Sequence, residues 1–341
     1  MNDANDQLRP DLLAARLSAA AASAGAGERV DEVRELGGGS SGLTFAATLH
    51  GALGTRPVVV KVAPPGLEPI HNRDVLRQAK VLQALQPVPT VPVPAVVLAD
   101  AGAPPAVPPL FVMEHVAGEC FEPLVDARDD LPDARDIAGR ARQAAAVLAA
   151  LHSVEVTSIG LGDEPAIGLA EEVARWERML DRSGIDLGGR AERTTAELRE
   201  RMPSPVAPRL VHGDFRLGNQ ICEGASVRAV LDWEIWTISD PRIDLGWFLM
   251  TFDARGLPSA VRAPGPGWPS AQDVLATYEA EVGSTTDELV WFHALARLRS
   301  AAAMSLNVKH NRRRATPSAR IEAYAARLPD YLDAALHLLD A

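Results

Sequence analysis

The chain has 341 residues, of which 47% are hydrophobic, and a formal net charge of −11. This length predicts one large domain or two smaller ones, and the hydrophobic share is sufficient for a core. The acidic balance argues against a nucleic-acid partner. No run of about eighteen apolar residues occurs, so we expect no membrane span. Two cysteines and a polar, acidic N-terminus favour a cytoplasmic protein with reduced thiols.

The predicted elements change character along the chain. An alanine-rich segment predicts a short helix within a flexible lead-in, residues 1–28. Strand patterns then occur in "LTFAATL", "VVVKV", "PAVVLA" and "PLFVMEHV", and residues 71–86 have the spacing of an amphipathic helix. After Gly118 the long patterns are helical: "DARDIAGRARQAAAVLAALHSV", "AEEVARWERMLDRS" and "DELVWFHALARLRSAAAMSL". We therefore predict a small strand-rich lobe over residues 29–117 and a larger helical lobe over residues 118–341.

The stretch "ELGGGSSGLTF" fits both G-x-G-x-x-G and G-x-S-x-G. A dinucleotide site or a hydrolase nucleophile elbow requires a helix directly after the glycines, whereas a strand pattern follows here. A glycine loop between strands is typical of a flap whose backbone N–H groups cover phosphates. We predict that role for Gly38, Gly39, Ser40, Ser41 and Gly42. An ordinary hairpin turn is the alternative, and a serine hydrolase using Ser40 is a distant one.

Lys61 lies inside the apolar strand "VVVKV". An ammonium in such a strand is unfavourable unless it has a partner. One interpretation is a lysine that binds nucleotide phosphates, and the other is an edge lysine whose end reaches solvent. Its position between the glycine loop and the helix predicted over residues 71–86 favours the first interpretation.

Three polar residues, Asp214, Asn219 and Asp232, follow one another around the predicted strand "VRAVL". Phosphoryl transfer needs a carboxylate to orient and deprotonate the attacking hydroxyl, and oxygen ligands for a magnesium ion. We predict that Asp214 is the catalytic base and that Asn219 and Asp232 are metal ligands. Taken singly, each residue also suits a turn or a strand end.

The motifs "VHGDFRLGN", "VLDWE" and "SDPRIDLGW" resemble the aminoglycoside phosphotransferase and choline kinase family over residues 30–310. The resemblance implies an α+β, bilobal protein-kinase-like fold with a small N-terminal antiparallel sheet lobe and a larger, mainly helical C-terminal lobe. It also implies ATP and Mg²⁺. His212 would then support the catalytic loop, and Asp244 would brace it. Adenine would bind backbone groups of the hinge residues Glu114, His115 and Val116.

One departure from the family pattern concerns Gln78, which stands where a glutamate usually pairs with the strand lysine. We expect Gln78 to face Lys61, whose charge would be balanced by Asp74, by another nearby carboxylate or only by the nucleotide phosphates. An amide contact with Gln78 and incomplete charge compensation are favoured, because Asp74 lies near the start of the helix. A nucleotide-binding pseudokinase with a regulatory role is therefore the alternative to an active enzyme.

The acceptor is expected to be a small molecule with a hydroxyl group. Only thirteen residues run from Asp232 to Asp244, counting both, which is too short for the peptide platform of protein kinases. "AEEVARWERMLDRS" resembles the subgroup related to kinase-like domains fused to some acyl-CoA dehydrogenases, whose members act on hydroxyacyl-CoA substrates. Aminoglycosides, macrolides, choline and small sugars remain alternatives.

Overall fold

The computed structural model describes residues 8–23, 29–36, 43–52, 54–254 and 257–340. Segments with alternating side chains in the N-terminal part of the chain pair as a five-stranded antiparallel sheet. The strands are β1 (Arg29–Glu35), β2 (Leu43–Gly51), β3 (Gly54–Val62), β4 (Val96–Asp100) and β5 (Leu110–Glu114), and their order in the sheet is β1-β2-β3-β5-β4. The sequence analysis does not predict β1, because most of its residues are charged.

One face of this sheet packs against the N-terminal helix α1 (Pro10–Ser23). Leu13 and Leu17 of α1 are fully buried there. They contact a cluster of strand side chains that includes Phe45, Ala47, Leu49, Val58, Val60, Val62, Leu110 and Val112. Because side chains in a strand alternate between faces, Lys61 points away from this core, opposite Thr44 and Phe111 in the neighbouring strands.

The helix predicted over residues 71–86 is α2 (Val75–Leu85), preceded by a 3₁₀ turn (His71–Arg73). It starts late because Asp74 is its N-cap, and the Asp74 side chain accepts the Arg77 N–H at 3.0 Å. Gln78 lies on the buried face of α2.

The rest of the chain is mainly helical. The α-helices are α3 (Ala134–Ser153), α4 (Leu169–Ser183), α5 (Arg190–Glu200), α6 (Arg242–Met250), α7 (Ala271–Val282), α8 (Leu289–Arg312), α9 (Ala319–Ala323) and α10 (Leu328–Asp340). Short strands interrupt them: β6 (Arg209–Val211), β7 (Gln220–Glu223), β8 (Ser226–Val230) and β9 (Thr237–Ser239). Within the described ranges, no helix is long and apolar enough to cross a membrane.

The predicted α+β class, an antiparallel N-terminal sheet followed by a mainly helical region, is confirmed. Residues 1–118 and 228–236 form one compact unit, and residues 119–227 and 237–341 form the second. Helix α1, which the sequence analysis assigns to a lead-in, therefore lies in the first unit. The segment 228–236, which carries Asp232, also lies in the first unit.

Candidate active site

Lys61 is the centre of a polar cluster in the first unit. Its side chain is only 14% exposed, and its Nζ lies 3.1 Å from Asp232 Oδ1 and 3.6 Å from Glu234 Oε1. The predicted contact with Gln78 is present, since Lys61 Nζ lies 3.4 Å from Gln78 Oε1. The favoured expectation of incomplete charge compensation is wrong, whereas the alternative of another nearby carboxylate is confirmed, because both Asp232 and Glu234 lie within ion-pair distance of the ammonium. Asp74 instead caps helix α2.

Asp232 and Glu234 lie shortly after β8, which ends at Val230, and Trp233 stands between them. Asp232 has a φ of 65°, in the left-handed region, which is unfavourable for most non-glycine residues; residues in this conformation cluster at functional sites. The indole of Trp233 is buried and donates its N–H to Val230 O at 3.0 Å. This anchor places the two acidic side chains on either side of it toward Lys61. The sequence analysis missed Glu234, although its spacing of two from Asp232 was a usable signal.

Gln78→Glu is expected to lower the free energy of unfolding by about 1–3 kcal/mol in the absence of nucleotide. Gln78 is 4% exposed, and the new carboxylate would be the third around one ammonium. Urea unfolding at neutral pH measures the effect. The matched control is Gln83→Glu on the exposed face of the same helix, which should change stability little. Equal stability of Gln78→Glu and wild type would contradict this reading of the cluster.

A cavity of about 570 Å³ lies on the sheet of the first unit. Its lining comprises Glu32, Arg34, Ala46, Ala47, Thr48, Pro57, Val58 and His115. This volume is in the usual range for a small-molecule site. Because His115 is part of the lining, the cavity lies beside the predicted hinge residues.

The hinge residues differ in what their backbone N–H groups already bind. Glu114 N–H donates to Ala95 O at 2.9 Å, and His115 N–H lies 3.4 Å from Pro57 O. Val116 N–H has no acceptor among the described residues. Val116 therefore offers a donor for a bound ligand.

The predicted phosphate flap lies outside the described residues. These positions are Gly38, Gly39, Ser40, Ser41 and Gly42. Their assignment stays a prediction.

In the second unit, Asp244 holds the loop that carries Asp214. Asp244 lies in the first turn of α6, is fully buried, and accepts the N–H groups of His212 at 2.6 Å and Gly213 at 2.8 Å. The His212 ring in turn accepts the Asp214 N–H at 3.1 Å, through Nδ1. The structure thus brings His212, Asp214 and Asp244 together in the arrangement of a braced loop.

Burial raises the pKa of Asp244, but the hydrogen bond with His152, the electrostatic interactions with His152 and His212 and the hydrogen bond from the His212 backbone N–H outweigh it. The net pKa lies below its ordinary value of 3.8. Asp244 therefore stays ionised and accepts both loop N–H groups.

Asn219 ends the same loop in a 3₁₀ turn (Leu217–Asn219). Its Nδ2 donates to Asp214 O at 2.9 Å and to Asp214 Oδ2 at 2.7 Å. The turn brings together residues five apart, which explains the spacing in the sequence. Both amide donors point at Asp214, and Asn219 Oδ1 accepts no hydrogen bond from any described residue. This oxygen is therefore oriented away from Asp214 and is available as a ligand.

Carboxylate and side-chain amide oxygens, such as those of Asp232 and Asn219, are ligands that suit the hard cation Mg²⁺. Asp232 supplies a partly exposed carboxylate in the first unit, and Asn219 Oδ1 supplies an unbonded amide oxygen in the second. The donor types therefore fit the predicted metal. Among the described residues, no group of three or more His, Cys, Asp or Glu side chains is arranged to hold a metal by itself.

Two further residues next to Asp214 were missed by the sequence analysis. Arg216 Nε lies 3.4 Å from Asp214 Oδ2, and Arg216 Nη1 lies 3.6 Å from Glu122 Oε2. Glu122 is fully buried and accepts the Gly218 N–H at 2.9 Å. Burial is the main cause that raises the pKa of Glu122 to about 7, although Arg216 and the Gly218 N–H lower it. A basic residue two positions after Asp214 was visible in the sequence, whereas nothing there pointed to Glu122.

Glu122→Gln is expected to raise the free energy of unfolding at pH 8 by about 1–3 kcal/mol and to change it little at pH 5. The pKa of Glu122 is higher in the folded chain than its ordinary value of 4.5, so ionisation disfavours the folded state. This penalty to the folded state grows as the pH rises from the ordinary pKa of 4.5 to the folded-state pKa of about 7, and it is complete above about pH 7. Glutamine keeps an acceptor for the Gly218 N–H.

Urea unfolding of both proteins at the two pH values is the measurement. Glu200→Gln, at an exposed position, is the control and should show no such pH dependence. A stability difference that is the same at pH 5 and pH 8 would show that the charge on Glu122 is not the cause.

The chain matches the phosphotransferase enzyme family over residues 32–274, which is more than half of its length. It therefore belongs to that family, and the predicted resemblance is confirmed. Acyl-CoA dehydrogenase family member 11 of Rattus norvegicus is 30% identical over 240 residues, which cover 66% of this chain and 30% of that protein. The chain spans about a third of the length of the curated relatives it matches.

Solved structures share the fold. A structure of a putative aminoglycoside phosphotransferase from Ralstonia eutropha has a TM-score of 0.75 and 22% identity, and the match covers 91% of this chain and 92% of that one. The aminoglycoside phosphotransferase APH(4)-Ia, in a ternary complex with AMP-PNP and hygromycin B, has a TM-score of 0.59 and 14% identity, covering 91% and 94%. At these identities the likeness establishes the fold alone.

Proposed function

We propose that this chain is an ATP-dependent phosphotransferase that transfers the γ-phosphoryl group to a hydroxyl of a small acceptor. The observation that carries the proposal is the Asp214–Asn219 pair. Asn219 binds Asp214 with both amide donors, so that one carboxylate is fixed next to one open amide oxygen. That combination of a base and a metal ligand in one loop is what phosphoryl transfer requires.

In the proposed reaction the acceptor hydroxyl oxygen forms a bond to the γ-phosphorus, and the bond from that phosphorus to the β–γ bridging oxygen breaks. ADP leaves with the bond's electron pair, and the hydroxyl proton passes to the Asp214 carboxylate. The Asp244 brace fixes the loop, so Asp214 is oriented before the acceptor binds.

Nucleotide binding is assigned to the first unit. Lys61 would contact the phosphates, Val116 N–H and its hinge neighbours would bind adenine in the adjoining cavity, and residues 38–42 would cover the phosphates. Asp232 and Asn219 would hold Mg²⁺. When bound, Mg²⁺ neutralises negative charge on the β- and γ-phosphates. The AMP-PNP complex of the APH(4)-Ia relative supports the choice of an adenine nucleotide.

The acceptor is proposed to be a small molecule, and the APH(4)-Ia structure, a ternary complex with AMP-PNP and the small molecule hygromycin B, supports this proposal. The segment between Asp232 and Asp244 contains β9 and the start of α6, and it leaves no room for a peptide-binding loop. The similarity to acyl-CoA dehydrogenase family members supports hydroxyacyl-CoA thioesters as one class to test. The two cysteines, Cys120 and Cys222, are free, which supports a cytoplasmic location.

The test is ADP release and ³¹P NMR with Mg-ATP and a panel of acceptors: aminoglycosides, macrolides, hydroxyacyl-CoA thioesters, choline and small sugars. The expected result is stoichiometric ADP and one phosphorylated product with at least one class. Calorimetric binding of Mg-ATP is measured in parallel. Tight nucleotide binding without turnover on any class would instead identify a pseudokinase, and the absence of nucleotide binding would overturn both functions.

A further inference from the structure

Arg299, on helix α8, has an unusual position in the second unit. The residue is 3% exposed, and its guanidinium lies over the indole rings of Trp176 and Trp247, 5.0 and 4.8 Å from their centroids. Its Nη2 donates a hydrogen bond to the carbonyl oxygen of Gly213, the residue before Asp214. Trp176 is itself fixed, because its indole N–H donates to Glu172 Oε1 at 2.6 Å.

This guanidinium differs from the other buried arginines in what compensates its charge. Arg140, Arg242 and Arg297 each have a carboxylate oxygen within ion-pair distance, at 2.8, 2.8 and 3.4 Å. Among the described residues, no carboxylate lies within 4.0 Å of Arg299, and its Nε and Nη1 have no hydrogen-bond partner. Burial accordingly lowers the pKa of Arg299.

A buried cation without an ion pair is an unfavourable choice for stability alone, since an apolar side chain of similar volume would fill the same space. The two indole rings provide only part of the compensation. Unfavourable local choices of this kind are most common where function requires them. The contact with Gly213 identifies what Arg299 does.

The peptide group between Gly213 and Asp214 is held at both of its polar atoms. Its carbonyl oxygen accepts from Arg299, and its N–H, which belongs to Asp214, donates to His212 Nδ1. Gly213 has a φ of 88°, and a glycine has no side chain to restrict rotation of this peptide. The plane of this peptide sets the direction of the Asp214 side chain.

We propose that Arg299 is a positioning residue for Asp214, holding the Gly213–Asp214 peptide in the orientation that directs the carboxylate to the acceptor hydroxyl. The proposal rests on the proposed function for its effect on turnover. Its structural part, the restraint on the peptide, is independent of that function. Arg299 acts through the loop and does not itself touch the reacting atoms.

Arg299→Met removes the donor and the charge but keeps an unbranched side chain between the indoles. Arg299→Lys keeps a charged donor that can reach the Gly213 carbonyl. We expect Arg299→Met to lower kcat by about 10²-fold, the effect of a misplacement of about 1 Å, with the KM for ATP changed less than about twofold. The kcat of Arg299→Lys should be at least about tenfold higher than that of Arg299→Met, because the lysine ammonium restores a charge-assisted hydrogen bond to the Gly213 carbonyl.

The second readout needs no acceptor. Amide hydrogen exchange, followed by mass spectrometry of peptides covering residues 209–216, should be faster in Arg299→Met and close to wild type in Arg299→Lys. Arg297→Met is the matched control, since it removes a buried arginine two residues away whose contacts are with His293 O and Asp253. It should not alter exchange in residues 209–216.

The outcomes separate the two proposals. If wild type transfers no phosphate to any acceptor, the proposed function fails, but faster exchange confined to Arg299→Met still supports the positioning role. Unchanged exchange in Arg299→Met, or a loss of kcat explained fully by a lower folded fraction in the thermal melt, would overturn it. If Arg299→Met does not fold, Arg299→Lys decides: exchange close to wild type in residues 209–216 together with a kcat within about tenfold of wild type supports the role, and any other outcome refutes it.

Discussion

Asp214→Ala is expected to lose about 10²–10⁴-fold of kcat while keeping its affinity for Mg-ATP within about twofold. The proposed base is lost, so the acceptor hydroxyl is neither oriented nor deprotonated. Nucleotide binding survives because Asn219 keeps its hydrogen bond to the backbone carbonyl of residue 214, at 2.9 Å. Steady-state kinetics on the acceptor found in the panel, with calorimetry of Mg-ATP, measures both quantities.

Asp232→Ala is the contrasting variant for this experiment. It removes a proposed metal ligand and also the carboxylate 3.1 Å from Lys61 Nζ, so Mg-ATP binding should weaken together with turnover. Wild-type kcat in Asp214→Ala would exclude Asp214 as the base. Loss of nucleotide binding in Asp214→Ala equal to that in Asp232→Ala would show that the two aspartates do not have separate roles.

Asp244→Asn should lower the free energy of unfolding by about 3–5 kcal/mol and, where it folds, should lower kcat as well. The Asp244 carboxylate accepts two backbone N–H groups, and its Oδ2 also lies 3.5 Å from His152 Nε2, at a position with no exposure to solvent. An amide has one acceptor oxygen, so its NH₂ group would face one of the loop N–H donors. The loop that carries Asp214 would then lose part of its brace.

The pH dependence of the wild type gives a second check on Asp244. Its pKa is lowered on folding, so the stability it contributes is present above its ordinary value of 3.8 and is lost as the pH falls below that value. Asp244→Asn should remove this part of the acid-induced loss of stability, and urea unfolding between pH 7 and pH 2.5 follows it. Asp163→Asn, at an exposed position, is the control. Equal stability of Asp244→Asn and wild type at pH 7 would contradict the brace.

The sequence predicted most of the fold because strand and helix patterns were strong. It predicted β2, β3, β4 and β5 by alternation or apolar composition, and it predicted α2, α3, α4 and α8 by spacing. It missed β1, where Val30 is the one strongly buried side chain among charged residues and alternation carries little signal. It assigned α1 to a lead-in because an alanine-rich helix has a weak apolar face, yet Leu13 and Leu17 are enough to bind it to the sheet.

The candidate site was less predictable from the sequence, for a physical reason. The loop residues Asp214 and Asn219 are five apart, so one turn brings them together and a motif reveals them. Glu122 and Arg299 reach the same loop from positions 96 and 86 residues away from their partners, and neither belongs to a motif with the loop residues. The charge around Lys61 was misjudged for the same reason, because Glu234 approaches only in the folded chain. Contacts between distant single residues leave no periodic signal.

The order in which the first unit can be completed is constrained, because residues 228–236 of that unit follow the second unit's first segment in the chain. Lys61 and Asp232 are 171 residues apart, and the second unit begins in between them at residue 119. The ribosome must release the chain beyond Trp236 before the lysine meets its carboxylates and before Arg77 can pair its backbone carbonyl with the Trp236 indole N–H, at 3.0 Å. An N-terminal sheet that formed before then would bury the Lys61 ammonium without a counter-charge from residues 228–236. Closing so long a loop is entropically unfavourable and slow, so the first unit is completed late although most of it is translated before the second unit.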